Sequence, residues 1–153
     1  MTAPSREELL DDVYRSRVAA MTRLAYLMTG SAAVAEELAN EAFLRLHERW
    51  DVVDEPAAYV RTVLVNLCLR WRRRAATRPD ESRRADELVA SPPDIDETWR
   101  LIQELPDPLR IVLVLRYYED LPATDIAAIV GCSPTTVRTR IHRALNRLRK
   151  DMR

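Results

Sequence analysis

Residues 124–141 read TDIAAIVGCSPTTVRTRI, and this run carries the most specific chemistry in the chain. Its second half presents hydroxyls and guanidinium groups: Thr135, Thr136, Arg138, Thr139, Arg140 and Arg143. Arginine binds guanine bidentately, and threonine meets a thymine methyl or a phosphate. Such a row suits the major groove of duplex DNA if a helix holds it. The spacing supplies that helix. Val137, Ile141, Ala144, Leu145 and Leu148 fall on one arc and face inward, the arginines and threonines fall on the opposite arc, and Arg140 lies at the edge. Ser133 is an N-cap and Pro134 takes the first helical position. Gly131 supplies the left-handed residue of a tight turn. Ala127 is small where a preceding helix would cross, and Ile126 and Val130 complete the shared core. The pattern is a helix-turn-helix. Arg147, Arg149 and Lys150 lie further along and fit phosphates or solvent. A helical hairpin with a charged outer face is the plain alternative.

A second row lies on residues 56–74, where Tyr59, Thr62, Asn66, Arg70 and Arg73 recur at helical spacing. An aromatic ring, an amide and arginines in one stripe fit single-stranded DNA: bases stack, the amide meets a base edge, and guanidinium groups hold phosphates. A flipped base also needs a wall, and the acidic loop 51–55, with Asp51 and Asp54, lies just before this helix. A basic helix with a half-buried tyrosine fits the same residues, and they do not choose between the two. A third row differs in sign. Glu37, Asn40, Glu41 and Glu48 share one side of the preceding helix, with Leu44 among them. An acidic face holding one apolar residue suits a protein partner better than DNA, and a solvated face fits it too.

The elements that must carry these rows are all helical. Glycine occurs only twice and phenylalanine once in 153 residues, which argues against sheet. Apolar periodicity gives helices over residues 7–28, 32–50 and 56–74. The first has its apolar side at Val13, Val18, Met21, Leu24, Ala25 and Met28, and Gly30 ends it. The second follows the N-cap Ser31 and has Leu38, Ala39, Ala42, Phe43, Leu46 and Trp50 on its core side. The third starts at Pro56 and packs Val60, Val63, Leu64, Leu67, Cys68 and Trp71. Between residues 76 and 93 the periodicity fades among three prolines, with a short helical stretch at 86–89. Helices resume over 94–105, 109–118, 124–130 and 134–150, with Pro106 and Pro108 as breaks. The expected architecture is all-α: a three-helix domain over 1–75, a flexible linker over 76–93, and a four-helix domain over 94–153. The 18-residue linker spans at most about 60 Å.

Net charge is zero, but the signs are segregated. Residues 57–79 hold six arginines and no acid, and residues 133–150 hold six Lys/Arg and no acid. Two local basic surfaces follow despite the neutral total. Cys68 and Cys132 have no zinc spacing and read as reduced thiols of a cytoplasmic protein. No apolar run approaches 18 residues and no signal peptide opens the chain, so no membrane insertion is expected. No carboxylate pair, Ser/His/Asp set or phosphate loop points to an enzyme, and no cofactor or metal is expected.

Taken together, the motifs resemble one family. Residues 35–45, AEELANEAFLR, resemble region two of the extracytoplasmic-function sigma factors of bacterial RNA polymerase. Residues 58–67, AYVRTVLVNL, look like the promoter-melting helix of that domain. The Leu105-Pro106 step, then VLVLRYYEDL over 112–121 and the helix-turn-helix, look like region four. The resemblance implies partners: core RNA polymerase, promoter DNA and, in many members, an anti-sigma factor. It implies that Glu37, Asn40, Glu41 and Leu44 meet the polymerase clamp helices. It implies that Asn66, Tyr59 and the loop 51–55 capture an unpaired base of the −10 element. The recognition helix, through Thr135, Thr136, Arg138, Thr139, Arg140 and Arg143, would read the −35 element, and residues 109–118 would touch the polymerase flap. Two departures stand out: Ala39-Asn40 replaces the usual Val-Gln, and the short extra helix that often opens the first domain has no counterpart.

Two other functions compete with a sigma subunit. A dimeric helix-turn-helix regulator needs a dimer interface, and no heptad or apolar patch provides one. A nuclease needs a metal-binding carboxylate cluster, and none is present in the motifs.

Overall fold

Helix α1 (Arg6–Thr29) begins where local chemistry tells it to. Ser5 caps it by accepting from the Glu8 amide at 3.2 Å, and the Glu8 carboxylate accepts from the Ser5 amide at 3.2 Å. This capping box satisfies two otherwise orphaned donors. The helix stops at Gly30, whose φ of 76° is left-handed, and whose amide bonds to Tyr26 at 2.7 Å. Ser31 then caps α2 (Ala32–Arg49) through the Val34 amide at 3.2 Å. A 3₁₀ turn, Trp50–Val52, follows. Helix α3 (Pro56–Ala75) starts with proline in its first turn, where the missing amide costs nothing.

The computed structural model describes residues 2–77 and 97–152, which form two compact units, one in each segment. No strand occurs among the described residues. In the first unit the three helices share one core. Alanines 35, 39 and 42 of α2 are essentially fully buried, and their small side chains let α2 lie close against α1 and α3. Met21, Leu24, Leu27 and Met28 of α1, and Val60, Leu64, Val65 and Cys68 of α3, fill the remaining space at zero exposure. Truncating one such Leu to Ala costs about 2–5 kcal/mol. Only the second half of α1 is enclosed; Val13 and Val18 are partly buried, against the expectation that they lie in the core. Leu38, Trp50, Val63 and Trp71 are also only partly buried, while Val65, outside the expected core set, is fully enclosed. Two polar ties fix the ends. Arg6 donates to the His47 carbonyl at 2.9 Å, and Arg72 donates to the Thr29 carbonyl at 3.2 Å.

The second unit holds α4 (Glu97–Gln103), α5 (Asp107–Tyr117), α6 (Ala123–Val130) and α7 (Pro134–Asp151). Helix α5 is central: residues 110–115 are all buried. Pro106 and Pro108 open this helix, so the residues expected to break a helix also start the next one. Arg110, 3% exposed, is held by Asp107 at 2.7 Å and donates to the Gln103 carbonyl at 3.2 Å, joining α4 to α5. Trp99 packs edge-on to Tyr118 at 5.9 Å. The linker expected over 76–93, its helical stretch at 86–89 and the first residues of the helix expected from 94 lie almost wholly outside the described residues; residues 76 and 77 form a turn after α3.

Candidate nucleic-acid interface

The turn between α6 and α7 is built as the composition requires. Gly131 has φ 79° and ψ 41°, and its amide and that of Cys132 both bond to the Ala127 carbonyl, at 2.9 and 3.2 Å. Ile126, Ala127 and Val137 are buried at the crossing, while Val130 and Ile141 are partly buried. Ser133 caps α7 through the Thr136 amide at 3.1 Å. The Thr136 hydroxyl is 2.9 Å from the same Ser133 oxygen, so Thr136 is partly buried and engaged in the cap. Thr135, Arg138, Thr139, His142 and Arg143 are exposed. Thr139 donates to the Thr135 carbonyl at 3.0 Å, which leaves its lone pairs for a partner. Among the described residues no acid pairs with Arg138 or Arg143. Arg140 is partly buried, with Nη1 3.9 Å from the Cys132 sulfur.

In the first unit, Thr62, Asn66, Arg70 and Arg73 of α3 are exposed, and Tyr59 is half-buried. The stripe from Tyr59 to Arg73 runs about 21 Å along the helix. At its upstream end the structure forms a cleft of about 440 Å³ between the 3₁₀ turn with its following loop and the start of α3. Val53, Asp54, Glu55, Tyr59 and Thr62 line it. Arg49, Val52 and Ala58 complete its lining, and its size, apolar groups and carboxylates suit a planar base with donors on its edge. Asp51 does not line it; its carboxylate sits 3.7 Å from Arg6. Asn66 lies one helical turn beyond Thr62, outside the cleft wall.

On α2, Glu37 and Asn40 are exposed and Leu44 is 57% exposed. Glu41 is half-exposed and pairs with Arg45 at 3.2 Å. Asn40 and Leu44 also border a groove of about 750 Å³ shared with the start of α1, lined as well by Asp11, Tyr14, Phe43 and His47. Tyr14 meets Phe43 edge-on at 5.0 Å and remains 41% exposed. Sequence reading missed this contribution of α1; the signal was Leu10 and Tyr14 at i, i+4 spacing on its first half. Burial pushes the Cys68 thiol up to about 12, so it is a packing residue. Among the described residues no group of three or more His, Cys, Asp or Glu could hold a metal ion, and no helix is long and apolar enough to cross a membrane.

The comparisons with known proteins match this layout. The family model described as Sigma-70 region 2 matches residues 13–78, and that described as Sigma-70, region 4 matches residues 95–148. The RNA polymerase sigma-E factor of Streptomyces coelicolor is 30% identical over 93% of this chain and 85% of its own length. The ECF RNA polymerase sigma factor SigW of Bacillus subtilis is 29% identical over 93% of this chain and 86% of its own. In fold, the chain resembles the sigma factor RpoE of Bartonella quintana, solved with the anti-sigma factor NepR: TM-score 0.72 and 22% identity over 92% of this chain and 94% of that one. Both functional units thus fall within the matched regions, in order and over nearly the whole length: the chain belongs to the extracytoplasmic-function (ECF) sigma factors, which direct RNA polymerase to promoters.

Proposed function

We propose that the first unit grips an unpaired base of the −10 element while the second reads the paired −35 element, with core RNA polymerase carrying both. The observation that carries this reading is the cleft beside an acid-free basic stripe: Asp54, Tyr59 and Thr62 at its wall, then Asn66, Arg70 and Arg73 along α3. A carboxylate accepts from a base edge, a ring stacks on its face, and guanidinium groups track the departing backbone. Asp51 acts indirectly, through its contact with Arg6 at the 3₁₀ turn. On α7, Thr135, Arg138, Thr139 and Arg143 face bases, Arg140 flanks them, and Thr136 sets the helix start. Glu37, Asn40, Glu41 and Leu44 form the face for a polymerase helix with basic residues around an apolar contact. Domain limits of 1–75 and 94–153, with 76–93 as the tether, give each unit its whole set of helices. The same α2 face is the place for an anti-sigma factor, since a protein that covers it excludes polymerase.

Run-off transcription with purified core polymerase tests this reading. Initiation should depend on the added chain. Arg138→Ala should relax the preference at one −35 position, by about 1–3 kcal/mol if it meets a base edge. Tight binding of the free chain to a palindromic duplex as a symmetric dimer would replace the sigma reading with that of a regulator.

A further inference from the structure

The base cleft has two walls of different make. Tyr59 and Thr62 stand on α3, whose other face is buried in the core. Val52, Val53, Asp54 and Glu55 come from the segment between α2 and α3. Little local structure holds that second wall. Asp51, Val52, Asp54 and Glu55 are exposed. Neither the 3₁₀ turn nor the start of α3 has a side-chain cap. The bond inside the turn, from the Val53 amide to the Trp50 carbonyl, is long at 3.4 Å. Pro56 brings no N–H to the junction.

The tie from the rest of the fold is Arg6. One guanidinium nitrogen donates to the His47 carbonyl at 2.9 Å, and another lies 3.7 Å from the Asp51 carboxylate. A planar fork serves two acceptors at once, which an ammonium point charge does less well. His47 lies in the last turn of α2, where carbonyls lack helical partners and the helix dipole favours a cation. The backbone of Arg6 is fixed too, because it is the first residue of α1, inside the Ser5–Glu8 capping box. Among the described residues no other side chain of α1, and none of α3, makes a hydrogen bond or ion pair with residues 51–54. Arg6 also lies upstream of residues 13–78, the stretch matched by the region 2 family model.

We infer that Arg6 is a positioning residue for base capture: by holding Asp51 against the end of α2, it sets the loop wall of the cleft before the base arrives. A wall ordered in advance spares the incoming base the entropy of ordering it. The inference rests on the −10 reading above and gives the start of α1 a part in promoter opening without any contact to DNA.

The test uses the full-length chain with core polymerase and promoter DNA unpaired at −10, read by equilibrium competition. An abasic site is scanned along the unpaired strand. The captured base is the position where its loss costs affinity in the wild type and costs nothing in Tyr59→Ala. At that position Arg6→Ala should shrink the abasic penalty about fivefold, the factor that an exposed pair carries at most. Core polymerase affinity, −35 discrimination and the denaturation midpoint should stay close to wild type. Asp51→Ala should shrink the penalty as well, and the double variant should lose no more than Arg6→Ala alone. A merely structural loss would weaken binding to intact and abasic DNA alike and leave the penalty whole. That result, or additive losses in the double variant, would overturn the role of Arg6 alone. Absence of a Tyr59-dependent penalty at every position would overturn the −10 reading and this inference together.

Discussion

Replacing Gly131 by alanine perturbs the turn that aims the recognition helix, and the structure fixes how much. Gly131 sits at φ 79°, and a Cβ placed there meets nothing within 4 Å. The cost is therefore a backbone cost. A left-handed residue with a Cβ is disfavoured by about 1–2 kcal/mol. Part of this is offset because alanine stiffens the unfolded chain, by about 0.4–1 kcal/mol. The net loss should be about 1 kcal/mol, or a drop of about 4–8 °C in Tm for a unit of this size. Asparagine, which tolerates the left-handed region, should lose less. The assay is denaturant unfolding followed by Trp99, the tryptophan of the second unit, after Trp50→Phe and Trp71→Phe silence the first. Because Ser133 and the face of α7 are untouched, base preference should not move. A loss beyond about 3 kcal/mol would mean that the turn is crowded. A gain in stability would mean that Gly131 does not adopt positive φ, and the helix-turn-helix geometry described above would fall with it.

Two further outcomes are specific. Glu41→Lys should weaken core polymerase binding by roughly tenfold in a competition anisotropy assay and leave unfolding nearly unchanged, because an exposed pair such as Glu41–Arg45 contributes at most about 1 kcal/mol; unaltered affinity would remove polymerase from the acidic face. Cys68 should resist alkylation at neutral pH while Cys132 reacts, and its titration should appear in stability: the folded thiol, at about 12 against an ordinary 9.0, stays protonated where the unfolded one ionises. Its contribution is whole below pH 9 and declines as pH rises from there toward about 12, by about 2 kcal/mol at roughly pH 10.5. Denaturation midpoints that fall no faster with pH than those of Cys68→Ala would contradict this.

The features legible in the sequence are those decided within a few residues. Ser31, Gly30, Pro56, Gly131 and Ser133 each act on their nearest backbone neighbours, and each stands at the helix boundary its chemistry requires. The exposed rows on α2, α3 and α7 follow from the same helical period. What needed the fold is what depends on a second element. The core place of Val65 and the burial of α5 on every side come from neighbours in space, not from the helical period. Arg110 is buried because Asp107 and the Gln103 carbonyl hold it, a pairing that the helical period does not reveal. Asp51 and Asp54 look alike in the loop, yet the 3₁₀ turn sends one to Arg6 and the other to the cleft. Thr136 looks like a reader because its bond to the cap is invisible in composition.

Opening of the −10 element, followed with 2-aminopurine in the DNA while −35 occupancy is footprinted in the same complexes, tests the division of labour most directly. Tyr59→Ala and Asn66→Ala should abolish most of the fluorescence rise on duplex promoters, keep −35 protection, and recover transcription on a template already unpaired at −10. Unimpaired opening by both variants, or loss of opening and −35 protection together, would contradict the account.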